Sequence, residues 1–245
     1  LFEEHDAATY SVAWIDCLAR GADLGRSAIM LGEHACAKDL PEGRRDTPFR
    51  IPAKRAIGVP FDAPAGLLNR LTVKAFNAAY YRRHVMKQGE RLVDWDSYFY
   101  PLDALANWNR IYGRRGFLQF QCALPLASAR AGLTALLRGI AASGQGSFLA
   151  VLKRLGAQAG PFSFPMEGYT LALDFPVSPR TLALMERLDA IVIDHGGRFY
   201  LAKDSRMSAE TLRASDARVP AFVAMRKAHH ADATFQSSQS ERLKL

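Results

Sequence analysis

Residues 117–202 contain six patterned stretches, which read FLQFQCAL (117–124), SARAGLTALLRGIAA (128–142), FLAVLK (148–153), YTLALDF (169–175), SPRTLALMERLDAIVID (178–194) and RFYLA (198–202). The second and fifth repeat apolar residues every three to four positions, as amphipathic helices do. The other four are short apolar or alternating runs typical of strands. The order strand, helix, strand, strand, helix, strand predicts an α+β fold: an antiparallel sheet with helices on one face, containing a ferredoxin-like split βαβ unit.

The two-residue period of the strands predicts what the face away from the helices carries. Residues 117–124 place Gln119 and Gln121 opposite their apolar side chains, and residues 169–175 place Thr170, Ala172 and Asp174 there. A solvent-facing sheet surface would produce this pattern. A pocket for a hydroxylated ligand would also produce it, because an amide both donates and accepts hydrogen bonds. The residues alone leave both interpretations open.

The segments outside this unit give weaker patterns. Alternating apolar residues predict paired strands at residues 10–15 and 28–31. Residues 38–66 hold five prolines and six basic residues. The prolines exclude a helix and a central strand, so a long basic loop is predicted. The loop is either a functional cover or a surface segment without a role. Residues 67–85 predict a helix, because the apolar residues Leu67, Leu71, Ala75 and Ala78 stand at helical spacing. Two short helices are expected after Ser208.

Composition excludes several classes of protein. The chain has 245 residues, 49% of them apolar, which suits one large domain or two smaller ones and argues against disorder. No apolar run is long enough to span a bilayer, and the acidic start without Met predicts no signal peptide. Three cysteines at unrelated spacings predict no disulfide framework and a cytoplasmic location. A net charge of +8 favours phosphates or anionic membranes as partners.

The common catalytic and binding motifs are missing from the sequence. It has no dinucleotide-binding glycine motif after a strand, no phosphate-binding P-loop, no paired-cysteine motif and no nucleophile elbow. The six histidines are dispersed, which predicts no metal site, and no docking motif for nucleic acid is present. The residues by themselves support only a basic α+β protein with a polar sheet face.

Longer motifs, in order along the chain, resemble one family of enzymes. They include Ala13-Trp14-Ile15-Asp16, Leu31-Gly32-Glu33-His34-Ala35, the run from Trp108 to Gln121, Leu173-Asp174-Phe175-Pro176 and the run from Gly197 to Arg206. Over about residues 14–243 the sequence is similar to the decaprenylphosphoryl-β-D-ribose 2′-oxidases, FAD-linked oxidases of the vanillyl-alcohol-oxidase type.

The resemblance implies an FAD-dependent oxidoreductase that oxidises the C2 hydroxyl of a polyprenylphosphoryl pentose by hydride transfer to the flavin. It also implies a partner, an NAD-dependent short-chain reductase that completes an epimerisation for cell-wall arabinan. Peripheral membrane contact is expected through the basic loop 38–66, and no contact with nucleic acid. Two alternatives remain open: another FAD-linked sugar or alcohol oxidase, and a truncated, non-catalytic module that binds polyprenyl phosphate or a protein partner.

The resemblance also assigns roles to individual residues. Lys203 and Tyr200 are implied to be catalytic and to contact the flavin, the lysine by stabilising negative charge on the reduced ring. Substrate-binding roles are implied for Gln119, Gln121, Lys153, Trp14, Thr170, Ala172 and Leu155. The last three depart from the family: Thr170 and Ala172 stand where the mycobacterial enzymes have Asn and a reactive Cys, and Leu155 replaces an aromatic residue.

A domain division follows from the same resemblance. Residues 1–198 correspond to the substrate-binding (cap) domain, and residues 199–245 to a segment that would complete an FAD-binding domain. The N-terminal part of that FAD-binding domain has no counterpart in this chain. We therefore expect the 245-residue chain alone to bind FAD weakly or not at all and to be inactive.

Overall fold

The computed structural model describes residues 2–5, 7–51, 57–64 and 66–245. Its strands are β1 (Tyr10–Ile15), β2 (Ser27–Gly32), β3 (Ile57–Gly58), β4 (Leu105–Ala106), β5 (Phe117–Pro125), β6 (Ala150–Leu155), β7 (Gly168–Pro176) and β8 (Arg198–Phe199). Its α-helices are α1 (Glu42–Arg45), α2 (Arg70–Met86), α3 (Trp95–Phe99), α4 (Leu126–Ser143), α5 (Pro179–Asp194), α6 (Ala209–Ser215), α7 (Val219–Ala228), α8 (Ala231–Thr234) and α9 (Ser238–Leu243).

The central sheet has six strands in the order β2-β1-β6-β7-β5-β8, and every neighbouring pair is antiparallel. The unit β5-α4-β6-β7-α5-β8 is the predicted split βαβ arrangement, so the α+β fold class is confirmed. The predicted start of α5 is also confirmed: Ser178 Oγ accepts a hydrogen bond from the backbone N–H of Thr181, and Pro179 occupies the first helical position. The strand pair at the N-terminal edge forms as β1 and β2.

The main core lies between the sheet and helices α4 and α5. Its fully buried side chains include Leu124, Leu136, Ile140, Leu171, Phe175, Leu184 and Leu188. Residues after the predicted domain boundary at residue 198 join the same core through Met207, Leu212, Val219 and Leu243. The division into residues 1–198 and 199–245 stays a prediction.

The last predicted strand is shorter than expected. Residues 198–202 were expected to be extended, but β8 ends at Phe199 and residues Leu201–Lys203 form a 3-10 turn. The Tyr200 N–H still donates to the Gln121 carbonyl of β5, but the Lys203 N–H donates to the Tyr200 carbonyl within the turn. β8 is an edge strand with β5 as its one neighbour, so local hydrogen bonds within residues 200–204 can replace strand pairing although β5 itself continues to Phe117. The turn brings Lys203 back toward β5.

The sheet face opposite α4 and α5, for which the sequence left a solvent-facing surface and a ligand pocket both possible, is covered in part. Register places Trp14, Val151, Ala172 and Gln121 in one row across this face. The Tyr80 ring of α2 packs on Trp14 with ring centres 4.7 Å apart. At the start of β5, Tyr112 stacks on Phe117 at 4.8 Å. Rings from α2 and from the segment just before β5 therefore close this face at two places, which strand periodicity alone does not reveal.

Helix α2 forms, but the apolar residues at helical spacing do not make its buried face. Leu67 precedes the helix, and Leu71, Ala75 and Ala78 are all exposed, whereas Val73 and Asn77 are buried. The buried amide of Asn77 donates to Asp16 Oδ1 at 2.9 Å, and Arg26 pairs with Oδ2 of the same carboxylate. The helix thus docks through Val73, through the Tyr80 ring on Trp14 and through this polar network, a mixed face that apolar spacing does not single out.

The basic stretch 38–66 is mostly irregular, as predicted. The prediction that its prolines exclude helix is wrong for two short pieces, a 3-10 turn at Ala37–Asp39 and helix α1. Pro41 and Pro48 flank α1 and do not interrupt it, so no helical hydrogen bond is lost. Residues 52–56, which carry the basic residues Lys54 and Arg55 of the prediction, lie outside the described residues. Within the described ranges, no helix is long and apolar enough to cross a bilayer.

Candidate functional site

Four residues singled out by the sequence meet in one cleft where β8 leaves the sheet. Gln119 and Gln121 come from β5, and Tyr200 and Lys203 come from the turn after β8. The cleft is shallow, with a cavity volume of about 10 Å³, and its other lining residues are Phe120, Phe199, Asp204, Arg206 and Met207. Antiparallel pairing of Cys122 with Phe199 fixes the two segments side by side.

The two glutamine amides of the cleft are held by the neighbouring strand β7. Gln119 Nε2 donates to Asp174 Oδ1 at 2.9 Å, and Gln121 Nε2 donates to Thr170 Oγ1 at 3.1 Å. Within the described residues, no hydrogen bond reaches the Oε1 atom of either glutamine. Both carbonyl oxygens therefore remain acceptors for a ligand that carries hydroxyl groups.

Lys203 supplies the positive charge of the cleft. Its side chain is half-buried, and its ammonium group makes no hydrogen bond or ion pair with the parts of the chain that the structure describes. Tyr200 packs beside it, with its ring 4.7 Å from the ring of Phe164. A free ammonium next to two oriented amides is able to stabilise negative charge that develops on a bound group.

Asp174 also belongs to this site, although the sequence analysis gave it no role. It is 3% exposed, and its Oδ2 atom has no hydrogen-bond partner among the described residues. Burial raises the pKa of Asp174, while the hydrogen bond from Gln119 and the charge of Lys203 oppose the rise. Strand alternation already placed Asp174 on the polar face. The missing signal was the pairing of Gln119 with Asp174, which only the register reveals.

Tyr112 adds a second buried oxygen near Asp174. Its hydroxyl has no hydrogen-bond partner in the described ranges, and its ring lies between Phe117 and Phe148 at 4.8 and 5.6 Å. Burial raises the pKa of Tyr112, and the charge of Asp174 raises it further. The phenol therefore stays protonated and able to donate one hydrogen bond.

The remaining predicted site residues share the polar face but do not line this cleft. Thr170 is buried beneath Gln121, and Ala172 is half-buried next to it. Lys153 is exposed and lies opposite Thr170 on β6, with Leu155 two residues further along. Trp14 is buried under Tyr80, and its Nε1 donates to the Phe148 carbonyl at 3.0 Å. The substrate-binding roles implied for these five residues stay predictions.

Other reactive chemistry is sparse in the described part of the chain. It contains no cluster of three or more His, Cys, Asp or Glu side chains placed to hold a metal ion. Cys17 and Cys122 are buried free thiols, and burial raises the pKa of each to about 12, which keeps them protonated. A larger cleft, lined by arginines, lies elsewhere in the molecule.

Comparison with known proteins finds relatives over nearly the whole chain. No model of a known protein family matches it. It is 34% identical over 238 residues to decaprenylphosphoryl-beta-D-ribose oxidase of Mycolicibacterium smegmatis, a match that covers 97% of this chain and 51% of that protein. It is 30% identical over 245 residues to an uncharacterised protein in the mprA 5′ region of Streptomyces coelicolor, covering 97% of this chain and 66% of that protein.

These matches confirm the resemblance inferred from the sequence motifs. They also show that the chain spans about half the length of the oxidase that it matches.

Proposed function

We propose that this chain is the substrate-side part of an FAD-dependent oxidoreductase. The proposal is supported by its relation, over nearly its whole length, to a decaprenylphosphoryl-ribose oxidase. The substrate that we propose is a polyprenylphosphoryl pentose, oxidised at the C2 hydroxyl of its sugar. One observation carries this proposal: Gln119, Gln121, Tyr200 and Lys203, which the motifs select from distant parts of the sequence, line a single cleft.

The chemistry of the cleft suits the oxidation of an alcohol. Such an oxidation removes a hydride from carbon and a proton from the hydroxyl group. The free Oε1 atoms of Gln119 and Gln121 would accept hydrogen bonds from sugar hydroxyls and so fix which carbon faces the hydride acceptor. A bound flavin supplies that acceptor. Lys203 would place its positive charge where the acceptor becomes negative.

The residues of this cleft fit one edge of a flavin ring. The unpaired ammonium of Lys203 suits the polar atoms of the ring, and Tyr200 offers an aromatic surface beside it. The cavity volume of this cleft is only about 10 Å³, so these residues could line one edge of a ring system but could not enclose a whole dinucleotide. We therefore expect the 245-residue chain alone to take up FAD weakly or not at all. The product of the proposed oxidation is a ketone, which an NAD-dependent short-chain reductase would reduce.

The substrate test measures binding of a polyprenylphosphoryl pentose to the chain by a change in tyrosine and tryptophan fluorescence. We expect Gln121→Ala to weaken binding about tenfold, because one hydrogen bond to a ligand is worth roughly 1.5 kcal/mol. Gln158→Ala is the matched control, since Gln158 is exposed and lies outside the cleft. Equal affinity of the two variants would contradict the assignment of the cleft to the sugar.

We also propose that the segment 38–66 contacts a membrane surface. Phe49 and Phe61 are 91% and 69% exposed, and Arg44, Arg45 and Arg50 are exposed around Phe49. Apolar rings among cations suit the interface of an anionic bilayer. Replacement of both phenylalanines by serine should lower the fraction of protein that floats with vesicles of neutral lipid. Neutral lipid is used because it offers the arginines little electrostatic attraction, so binding depends on the apolar rings. An unchanged fraction would remove this proposal.

A further inference from the structure

A second, larger cleft of about 810 Å³ is lined by arginines. It lies at the end of the sheet where β5 begins and β7 ends, between the start of α2, the end of α4 and the start of α5. Four arginines line it: Arg70, Arg114, Arg115 and Arg180. We call this cavity the arginine cleft.

The charges of the arginine cleft are not balanced by the protein. Asp62 is the one acidic side chain in its lining, and none of the four arginines makes an ion pair or a hydrogen bond with the described residues. Arginines elsewhere behave differently. Arg26, Arg206, Arg218 and Arg242 each pair with an aspartate within 3.0 Å. All four arginines are exposed, so solvent screens part of their mutual repulsion, and a bound anion would offset the remainder.

Two of these arginines occupy unfavourable positions in their helices. Arg70 is the first residue of α2 and Arg180 the second residue of α5, so each cation lies at the positive end of a helix dipole. Arg70 also lies against Gly144 at the C-terminal end of α4, whose negative dipole end stabilises this one cation in part. A bound anion would be attracted by both arginines and by the starts of both helices, which makes these placements favourable in the bound state.

We propose that the arginine cleft binds a phosphate group. The guanidinium groups approach from three directions, namely α2, the turn at residues 114 and 115, and α5. A ligand that meets all three needs charged oxygens pointing in several directions, as the tetrahedral phosphate has and a planar carboxylate has not. Neither the cavity nor its charges depend on the proposed oxidase function. A lipid headgroup and a free phosphate compound share this chemistry.

The test titrates the 245-residue chain with inorganic pyrophosphate by calorimetry at low salt, and in parallel floats it with vesicles that contain phosphatidylglycerol. The test variant is Arg70→Gln with Arg180→Gln. The control is Arg138→Gln with Arg187→Gln, which removes the same charge from exposed positions of α4 and α5 outside the cleft. Both variants should fold, because none of the four side chains has an ion-pair partner among the described residues.

We expect the test variant to lose at least tenfold in affinity for pyrophosphate and the control to stay within twofold of the original chain. That result supports the cleft with a free phosphate compound as its ligand. If the chain binds vesicles but not pyrophosphate, and the test variant loses vesicle binding while the control keeps it, the arginine cleft binds a lipid headgroup. No binding in either arm, or an equal loss in test and control variants, would overturn the proposal.

Discussion

Asp174 is the residue whose environment departs most from what its sequence position suggests. Alternation along β7 places it on a polar face, yet it is 3% exposed and carries an unpartnered oxygen. A carboxyl group in such a place favours its neutral form, because burial penalises the charge. The free ammonium of Lys203 and the amide of Gln119 oppose this tendency from the cleft side. Asp174 thereby orients the amide that we assign to the substrate.

The pH dependence of stability reports on this carboxyl group. The pKa of Asp174 in the folded chain is raised above 3.8, the ordinary value that applies to the unfolded chain. At a pH between the unfolded and the folded pKa, the folded chain therefore holds a proton that the unfolded chain releases. Stability therefore falls as pH rises through this interval, and the loss persists at neutral pH. Asp174→Asn removes the charge and keeps an acceptor for Gln119. We expect it to stabilise the chain at pH 7 by about 1 kcal/mol, and the gain to vanish below about pH 4.

Thermal melts across this pH range measure the effect. Asp194→Asn is the matched control, since Asp194 is an exposed carboxylate at the end of α5. The control should change the melting temperature little at any pH. If Asp174→Asn destabilised the chain at pH 7, Asp174 would be held ionised by Lys203, and burial would not control its charge.

Residue-level prediction succeeded where strand periodicity was enough. Gln119 and Gln121 were placed on the correct face from the two-residue alternation alone, and the structure shows both in the cleft. The alternation cannot give the depth of a side chain below that face. The burial of Asp174 and Trp14 depends on Tyr112 and Tyr80, which come from other segments.

At the scale of elements, the junction of β5 and β7 depends on one glycine. Gly168 opens β7 opposite Pro125, with φ +158°, and a Cβ atom there would lie 1.9 Å from the Leu124 carbonyl oxygen. The backbone on both sides belongs to the longest ladder of the sheet, so neither strand moves away easily. We expect Gly168→Ala to destabilise the chain by about 3 kcal/mol, measured by urea unfolding.

Gly156 provides the control for this prediction. It follows β6 directly, and a Cβ atom there would meet nothing within 4 Å. Gly156→Ala should therefore change stability by less than about 0.5 kcal/mol. Similar losses from the two substitutions would mean that the β5–β7 junction tolerates a wider separation than the structure shows.

Elements with long periodic patterns were predicted well, and elements that depend on neighbours were not. β5, β7, α4 and α5 form with bounds close to those predicted, because each buries an apolar face that its own sequence encodes. β8 stops early because it pairs only with β5. The buried face of α2 does not follow its apolar spacing, because the helix docks in part through Asn77 on the carboxylate of Asp16. Hydrogen bonds to distant residues leave no periodic signal.

At the scale of the whole molecule, two polar clefts flank one core. The first holds Gln119, Gln121, Tyr200 and Lys203, and the second holds four arginines. The net charge of +8 predicted an affinity for phosphates from the sequence but did not say where it would act. The arginine cleft gathers residues 70, 114, 115 and 180, which only the fold brings together.

The C-terminal residues connect the candidate active site to the core. Met207 and Leu212 are buried in the same apolar cluster as the strands, and Arg206 pairs with Asp189 of α5 at 2.6 Å. Lys203 therefore lies on a short turn between two anchored segments. This explains how a half-exposed lysine is held beside β5 without an ion pair of its own among the described residues.

The central claim is that Lys203 acts on a flavin that oxidises a sugar hydroxyl. Its most direct test is anaerobic reduction, followed by visible absorbance, in the protein made from the whole reading frame that contains residues 1–245. We predict that the protein carries a flavin whose absorbance bleaches on addition of a polyprenylphosphoryl pentose. We predict that Lys203→Ala keeps the flavin but bleaches about a hundredfold more slowly. A protein without flavin, or a Lys203→Ala variant that bleaches at the unchanged rate, would contradict the claim.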